Sequence, residues 1–337
     1  DGDTDLIVGN RIKAQKYPLH EPSLIYENVN GTLQNVTARV APDFEDFGIV
    51  NKVISTDINN DGWEDFIAVG EWTGIGVFLN EDGVFRVISA ESGLESEKGW
   101  WFSITETDVN NDGNKDYVIG NVGLNHKYKP SPSSPLRVYA DDFDLNGTLD
   151  VVMSYMHEGR YVPARGKEAS TQQMPMLAKK VTTYSQFANS TVEELYGESI
   201  HVAYQRDVNQ FKSLLLLNDG QGKFKKLELP SRAQSIPILG GESLDFNGDG
   251  FEDLILVGNI FHTEPDTPRL DNPFGLLLIS NQNDNYEVLG PESTGFYLNG
   301  DAKSVKLVKH ETQNKTFAVV GVNNGPVEVY ELNISGK

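Results

Sequence analysis

The chain contains no cysteine, so it can form neither disulfide bonds nor a thiolate metal site. Its 6 histidines are scattered among 337 residues without the spacing of a transition-metal site. It has no apolar run of about 18 residues, so we expect no direct insertion of this segment into a membrane. G-x-S-x-G, H-E-x-x-H and glycine-rich phosphate-loop motifs are also missing. We therefore predict no catalytic residue and no organic cofactor.

Positive charge is scarce as well. Lysine and arginine number 28 against 49 acidic residues, which gives a formal net charge of −21. A surface of this sign repels phosphate backbones and anionic lipids, so nucleic acid and membrane are poor partners. Most of the excess acid lies in one repeated loop.

That loop is the pattern D-x-[DN]-x-[DN]-G-x-x-D, which occurs four times. Calcium takes about six to eight oxygen ligands, and alternate acidic or amide side chains deliver them from one short loop. We predict side-chain ligands at positions one, three, five and nine, and a backbone carbonyl at position seven. The predicted ligands are Asp57, Asn59, Asp61, Trp63 and Asp65; Asp108, Asn110, Asp112, Asn114 and Asp116; Asp142, Asp144, Asn146, Thr148 and Asp150; and Asp245, Asn247, Asp249, Phe251 and Asp253.

An EF-hand is the obvious rival interpretation of this pattern. An EF-hand needs a glutamate at position twelve and a helix after the loop. Position twelve is Ala68, Ile119, Met153 and Leu256 in the four loops, and each lies in a short β-type apolar run. The EF-hand is therefore excluded, and we expect the enclosed ions to be structural rather than catalytic.

Two further repeats are incomplete. Asp1, Asp3 and Asp5 form the second half of a fifth loop, so the calcium content predicted is four to five ions. A sixth repeat aligns Phe317–Gly321 with Phe66–Gly70, but its ligand positions carry Val308, His310, Thr312 and Thr316. Because the chain begins inside a loop, we expect a longer protein with its export signal upstream of residue 1. Calcium loops of this kind fill where calcium is millimolar, which favours the extracellular or outer-membrane surface.

The repeat spacing predicts an all-β fold. Successive loops begin at residues 57, 108, 142 and 245, and each unit continues as a short strand followed by a hairpin. Units of about 50 residues with several strands are typical of β-propeller blades. We predict that 1–337 is a single propeller with six visible repeats, its N-terminus inside a blade, and that it is part of a seven-bladed disc or a longer array.

The β pattern lapses between 155 and 211, which we predict to be a partly helical insertion within the fourth visible repeat. Gln172–Lys180 favours a helix, and Ser190 with Glu193 fits a capping box before another. Loops that break a repeat often carry function. A lid that only packs on the propeller is the alternative.

The insertion contains the one basic cluster that we identify, Arg160, Arg165 and Lys167 beside Tyr161. Such a cluster could hold a carboxylate or sulfate group, or it could be a solvated loop. Trp72, Trp100 and Trp101 lie at predicted strand ends. They could stack on a sugar ligand or pack between blades.

The loops and several other stretches resemble FG-GAP or VCBS-repeat propellers, including the calcium blades of integrin α-subunits. The chain from about Val50 onward is similar to bacterial surface VCBS-repeat proteins allied to the cartilage-acidic-protein-like group. The similar stretches are Gly70–Trp72, Gly99–Ile104, Gly120–Asn125, Asp141–Gly147, Tyr184–Phe187, Glu194–Tyr196 and Leu229–Gln234. The resemblance implies a propeller of six to eight blades with calcium, surface display, and adhesion or ligand binding. It also suggests an accessory of outer-membrane nutrient uptake.

Three functions follow as hypotheses. The leading one is a non-enzymatic, calcium-stabilised binding or adhesion module outside the cell, with protein or glycan as its ligand, in a longer chain or a complex. The second is a polysaccharide lyase or hydrolase that uses Arg165, Lys167, Tyr161 or His157. The third is an architectural subunit of a surface assembly. We expect the main contact surface to include the basic cluster with Tyr161, followed by Trp100 and Trp101.

Overall fold

The computed structural model describes residues 2–264, 267–310, 312–313 and 315–333. This part of the chain is mostly β, with several antiparallel sheets and a few short helices. None of the helices described has the length and apolar character to cross a membrane. The predominance of strand confirms the β class, while the closed propeller stays a prediction.

The first two sheets are built from consecutive strands. The first has three strands and is followed by two one-turn helices. The next four strands, in the order β4-β5-β6-β7, are half of an eight-stranded sheet, because β5 also pairs with β8. We call this half the second sheet and the other half, β8-β9-β14-β15, the third sheet. The elements are β1 Leu6–Val8, β2 Leu24–Val29, β3 Thr32–Asn35, α1 Thr37–Val40, α2 Pro42–Glu45, β4 Ile49–Thr56, β5 Asp65–Thr73, β6 Ile75–Glu81 and β7 Val84–Val87.

The third sheet, β8-β9-β14-β15, is interrupted in sequence by another sheet that is inserted between β9 and β14. β9 pairs directly with β14, although 92 residues lie between the end of one and the start of the other. That span forms its own four-stranded sheet, which we call the inserted sheet, in the order β12-β11-β10-β13. The elements are β8 Gly99–Thr107, β9 Asp116–Asn121, β10 Leu136–Asp141, β11 Asp150–His157, β12 Arg160–Pro163, α3 Lys167–Gln173, α4 Met176–Lys180, α5 Tyr184–Ala188, α6 Val192–Tyr196, β13 Tyr204–Val208, β14 Leu214–Asn218 and β15 Phe224–Glu228.

Two further sheets follow in sequence order. The first has four strands and the second three, with a one-turn helix between them. The elements are β16 Gly240–Leu244, β17 Asp253–Val257, β18 Leu276–Ser280, β19 Tyr286–Leu289, α7 Pro291–Thr294, β20 Asp301–His310, β21 Lys315–Asn323 and β22 Glu328–Leu332. β21 contains Phe317–Gly321, the strand by which the sixth repeat was aligned.

The sheets are stacked face to face, and alternate side chains of one strand enter different cores. On β5, Phe66 packs in the core shared with Phe44, while Ile67 packs in the core shared with Tyr117. β17 behaves likewise, because Leu254 and Ile255 belong to two separate cores. Since side chains of a strand alternate between its faces, each of these sheets is buried on both sides. This accounts for the nearly continuous apolar runs in the central strands.

Successive sheet junctions repeat the same contacts. Thr56 on β4 hydrogen-bonds the hydroxyl of Tyr117 on β9 at 2.9 Å. At the next junction Thr107 on β8 hydrogen-bonds the hydroxyl of Tyr286 on β19 at 3.0 Å. The two threonines are equivalent in the repeat, but Tyr117 lies on the second strand of its sheet and Tyr286 on the fourth. The contacts that do repeat are those of Asn218 and Ser280, which end β14 and β18. Their side chains donate to the backbone carbonyls of Ile58 at 2.8 Å and Val109 at 3.2 Å, the second residues of two successive loops.

The predicted insertion contains α3 to α6, which pack their apolar residues against the inserted sheet through Leu177 and Leu195. The capping box of α6 is one residue later than the sequence pattern indicated. Thr191 accepts from the Glu194 N–H, and the Glu194 carboxylate accepts from the Thr191 N–H. α6 then ends at Gly197, whose φ of 75° favours glycine.

Candidate metal loops and an adjoining cavity

The four calcium-type loops share one backbone geometry. In the first, the Asp57 carboxylate accepts hydrogen bonds from the N–H groups of Asp61 at 3.2 Å and Gly62 at 3.0 Å. The first aspartate of every other loop accepts the same pair of bonds, at distances of 2.8 to 3.2 Å. The sixth-position glycines have φ of 86° to 91°, which is unfavourable for other residues. The sequence motif therefore specifies the turn.

The last aspartate of each loop is buried and anchors the loop to its sheet. Asp116 accepts from the N–H of Val109 at 3.1 Å and from the N–H of Asn218 on β14 at 2.9 Å. Burial raises the pKa of the Asp116 carboxyl to about 6, and burial also raises the pKa of Asp65, Asp150 and Asp253. A cation beside these carboxylates would offset the cost of burying their charge.

The donor set of the loops fits a hard cation. Carboxylate oxygens of Asp142, Asp144 and Asp150 lie within 4.8 Å of one another, so this acidic cluster could hold a metal ion. The other three loops have asparagine at position three, whose amide oxygen is also an acceptable calcium ligand. Such an ion would be held by the predicted carboxylate and amide oxygens, and would supply positive charge to a group of acids that otherwise repel one another.

Three of the loops lie side by side. The Asn60 amide donates to the Asn114 side-chain oxygen at 2.8 Å, which joins the first loop to the second. The Asp108 N–H donates to the Glu252 carboxylate at 2.9 Å, which joins the second loop to the one at 245. Trp63 is exposed at position seven of the first loop. In the partial loop, Asp1 lies outside the described residues. Asp5 of the same loop accepts a hydrogen bond from the Asn28 N–H at 2.8 Å.

The loop at 142 belongs to the inserted sheet and is anchored differently. Its last aspartate, Asp150, accepts from the N–H of Phe143 at 3.1 Å and contacts the Gln173 side chain of α3 at 3.4 Å. In the other three loops a backbone N–H of a neighbouring strand takes the place of this glutamine. Asp150 and Gln173 also line a cavity, which the other three last aspartates do not.

That cavity has a volume of about 1120 Å³ and lies where the inserted sheet meets the ends of the stacked sheets. Val138 on β10 and Met153 on β11 form one wall. Further lining residues come from the end of β5, the start of β8, residues 260–264 and residues 267–270. We call this space the cavity. Its aromatic lining is Tyr17, Trp72, Trp100, Phe102, His126, Tyr128 and His262.

The predicted tryptophans divide between the cavity and the core. Trp72 and Trp100 line the cavity and meet edge to face, with ring centroids 5.2 Å apart and an interplanar angle of 73°. Trp100 also packs on Phe211. Trp101, its neighbour in sequence, is fully buried in the core between the second and third sheets. Both indoles border the cavity, but Trp72 is only 3% exposed, so Trp100 presents the larger accessible surface.

The predicted basic cluster does not assemble at one place. Arg165 lines the cavity and lies 3.4 Å from the Glu264 carboxylate. Tyr161 lies under the Arg137 guanidinium, and the Lys167 ammonium lies over the exposed ring of Tyr184. Arg160 is exposed at the start of β12, opposite His157. Only Arg165 among these residues borders the cavity.

Apart from Arg165 and Asp150, the charged groups of the cavity come from segments that the sequence analysis did not identify as candidates. Arg11 pairs with Glu71, and Glu264 accepts from Lys127 at 3.0 Å as well as facing Arg165. Burial raises the pKa of the Glu264 carboxyl, but hydrogen bonds from Thr267 and Lys127 and the neighbouring positive charges outweigh burial and lower it. These residues are far apart in sequence, and no local motif marks them.

His126 is the buried titratable group of the same wall. Its ring packs against Trp100, Tyr128 and Phe211, and its Nδ1 accepts from the Tyr128 N–H at 3.2 Å. Burial, together with the charges of Lys127 and Lys129, lowers the pKa of His126 to about 4. The imidazole is therefore neutral at physiological pH.

Comparison with known proteins identifies the repeat. Residues 57–119, which contain the first two loops, match the FG-GAP-like repeat family, so the chain carries an FG-GAP-like repeat. No curated protein matches the chain.

Two solved structures are similar to the chain over most of its length. One is the V. cholerae biofilm matrix protein Bap1, at 11% identity and a TM-score of 0.33, over 93% of this chain and 66% of that one. The other is a structure of "NanB plus Optactamide", at 12% identity and a TM-score of 0.25, over 99% of this chain and 38% of that one. The chain thus spans about two thirds of the first structure and less than half of the second.

Proposed function

We propose that this protein is a non-enzymatic, calcium-stabilised binding module displayed outside the cell, and that the cavity is its ligand site. The observation that carries the proposal is the position of the cavity. It lies where the inserted sheet interrupts the repeat, and its lining combines indole rings with fixed charged pairs. Concave sites with aromatic walls and a few oriented polar groups are the usual places for ligands.

The proposed scaffold is a propeller of FG-GAP-like blades. Each central sheet is buried on both faces, and two successive junctions use equivalent hydrogen bonds, from Asn218 to the Ile58 carbonyl and from Ser280 to the Val109 carbonyl. Sheets related by the same contact are related by the same rotation, which supports a radial array. A disc of seven blades or more is part of the proposal.

Calcium is the proposed ion for all four loops. Their equivalent hydrogen bonds and the carboxylate cluster of the loop at 142 support this assignment. Loops of this type are filled at the calcium concentrations found outside the cytosol, which supports extracellular display. Because the ion offsets repulsion among the carboxylates, we expect an excess of chelator to lower the melting temperature by more than about ten degrees.

The binding proposal is tested by filling the cavity. Met153→Trp places a larger side chain on the cavity wall, whereas Met176→Trp makes the same change at an exposed position of α4. Both variants and the unmodified protein are probed on saccharide and peptide arrays with calcium present. We expect at least one ligand class whose binding falls about tenfold or more in Met153→Trp and not in Met176→Trp. Equal binding by both variants to every ligand would contradict the proposal.

A further inference from the structure

We infer that the cavity takes an uncharged saccharide of a few pyranose rings. This inference rests on the proposed function, because it names the ligand class of the same site. Three features of the cavity carry it: the arrangement of its aromatic rings, the pairing of its cationic groups and the absence of a free strand edge in β10 and β11, which the inserted sheet supplies to its wall.

The aromatic rings suit the apolar faces of sugars. Trp100 is the more accessible of the two indoles, and the edge-to-face contact of the buried Trp72 holds its ring in place. The Trp72 ring is fixed by a hydrogen bond from its indole nitrogen to the Tyr17 hydroxyl. Rigid aromatic rings provide a large contact area at a small entropic cost, and pyranose rings present C–H faces that stack on them.

The arginine and lysine side chains of the cavity are paired with carboxylates, which favours a neutral ligand. Among the described lining residues, Arg11 pairs with Glu71, Arg165 with Glu264, and Lys303 with Asp301. An anionic ligand would have to displace a carboxylate from one of these arginines or from the lysine. A sugar hydroxyl both donates and accepts, so it can bond to the donors and acceptors that an ion pair leaves unused.

The net charge of the whole chain also favours a neutral ligand. At a formal net charge of −21 it stays negative even with a divalent cation in each of four loops. Long-range repulsion then disfavours polyanionic polysaccharides such as those built from uronic acids or carrying sulfate groups. The volume of about 1120 Å³ exceeds that of a typical small-molecule pocket, so it has room for several rings.

A peptide is the less suitable occupant. Extended peptides usually bind by adding a strand to a free sheet edge. β10 and β11, which supply the cavity wall from the inserted sheet, each pair with a strand on both sides. They therefore have no open edge facing the cavity, and recognition must come from side chains.

The test measures which class of ligand binds, and whether one isosteric substitution, Glu264→Gln, shifts the preference from neutral to anionic saccharides. Neutral oligosaccharides of two to six glucose, galactose, mannose or xylose rings are titrated calorimetrically beside the corresponding uronate oligosaccharides and a set of peptides. Glu264→Gln keeps the side-chain volume but leaves Arg165 without its carboxylate partner. Glu95→Gln is the matched control at an exposed position.

We expect one series of neutral oligosaccharides to bind to the unmodified protein. Glu264→Gln should weaken the affinity for that series at least fivefold and should improve the affinity for the corresponding uronate oligosaccharides. Glu95→Gln should change neither. A purely structural role for Glu264 would weaken both classes together, and that result would overturn the inference. If only uronates or peptides bind, and Met153→Trp abolishes that binding, the saccharide inference fails but the proposed binding function stands. If no ligand binding responds to Met153→Trp, both fail.

Discussion

The last aspartate of each loop should stabilise the fold even without metal. Substitution of Asp116 gives the clearest measurement of this contribution to the free energy of unfolding. Asp116 is fully buried and accepts backbone hydrogen bonds from Val109 and from Asn218. Asp116→Ala removes both acceptors and leaves two buried N–H groups without partners. Each such group costs roughly 1–3 kcal/mol, so we expect the free energy of unfolding to fall by about 2–5 kcal/mol in the presence of a chelator.

Asn110→Ala is the matched control in the same loop. Asn110 is a predicted ligand whose hydrogen bonds are made within the loop, to Asp112 at 3.0 and 3.2 Å. In chelator this variant should lose less than about 1 kcal/mol, because the affected groups remain accessible to water. In calcium both variants should also lose the contribution of the bound ion.

The assay is urea unfolding of the three proteins, each measured in chelator and in calcium. The four differences separate the structural role of the carboxylate from its role as a ligand. If Asp116→Ala and Asn110→Ala are equally stable in chelator, the anchoring role assigned to the last aspartate is wrong. If calcium stabilises Asn110→Ala as much as the unmodified protein, the ligand assignment of Asn110 is wrong.

Three other changes should have defined effects. Leu145 has a φ of 59° and is 89% exposed, so Leu145→Asn should raise the free energy of unfolding by up to about 1 kcal/mol; a lower value would contradict the strain. Gly70→Ala would place a Cβ 1.6 Å from the Ile49 carbonyl oxygen, so it should cost about 2 kcal/mol or more, and an unchanged melting curve would refute this close approach. His126 has a pKa lowered to about 4, so its contribution to stability is present above about pH 6.5 and is lost as the pH falls toward 4. The loss of unfolding free energy should amount to roughly 2–3 kcal/mol at full protonation of the imidazole. His126→Phe should flatten the profile of stability against pH in this range. An unchanged profile in this variant would contradict a buried neutral imidazole.

The loops could be predicted from sequence because all their determinants are local. Oxygen-bearing side chains at alternate positions, a glycine with positive φ and a following apolar strand specify the same turn wherever they occur. The hairpin strands β6 and β7 likewise follow from apolar runs around Asp82 and Gly83. Local pattern and final structure agree at these places.

The cavity could not be predicted in the same way. Trp100 and Trp101 are adjacent in β8 and so point to opposite faces, but the sequence does not say which face meets the inserted sheet. Arg165 and Glu264 are brought together by the pairing of β9 with β14 and by the path of residues 260–264. Contacts between such distant residues depend on the packing of whole sheets, which no short motif encodes.

The basic cluster failed to assemble for a related reason. Arg160 lies on a strand, Arg165 lies in the turn after it, and Lys167 begins α3, so three residues close in sequence face three environments. The shift of the α6 cap from Ser190 to Thr191 is smaller. Either residue can cap a helix, and the burial of Val192 and Leu195 against the inserted sheet determines which one does.

The most direct test of the account is the calcium content of the folded protein. The protein is stripped with chelator, dialysed against millimolar calcium and measured by elemental mass spectrometry, beside Asp249→Ala and Thr312→Asp. We expect four ions per chain, or five if the partial loop that contains Asp1, Asp3 and Asp5 also binds an ion. Asp249→Ala should bind one ion fewer, and Thr312→Asp should bind no more than the unmodified protein. A folded protein that retains no calcium, or an unchanged count in Asp249→Ala, would contradict the assignment of these loops as calcium sites.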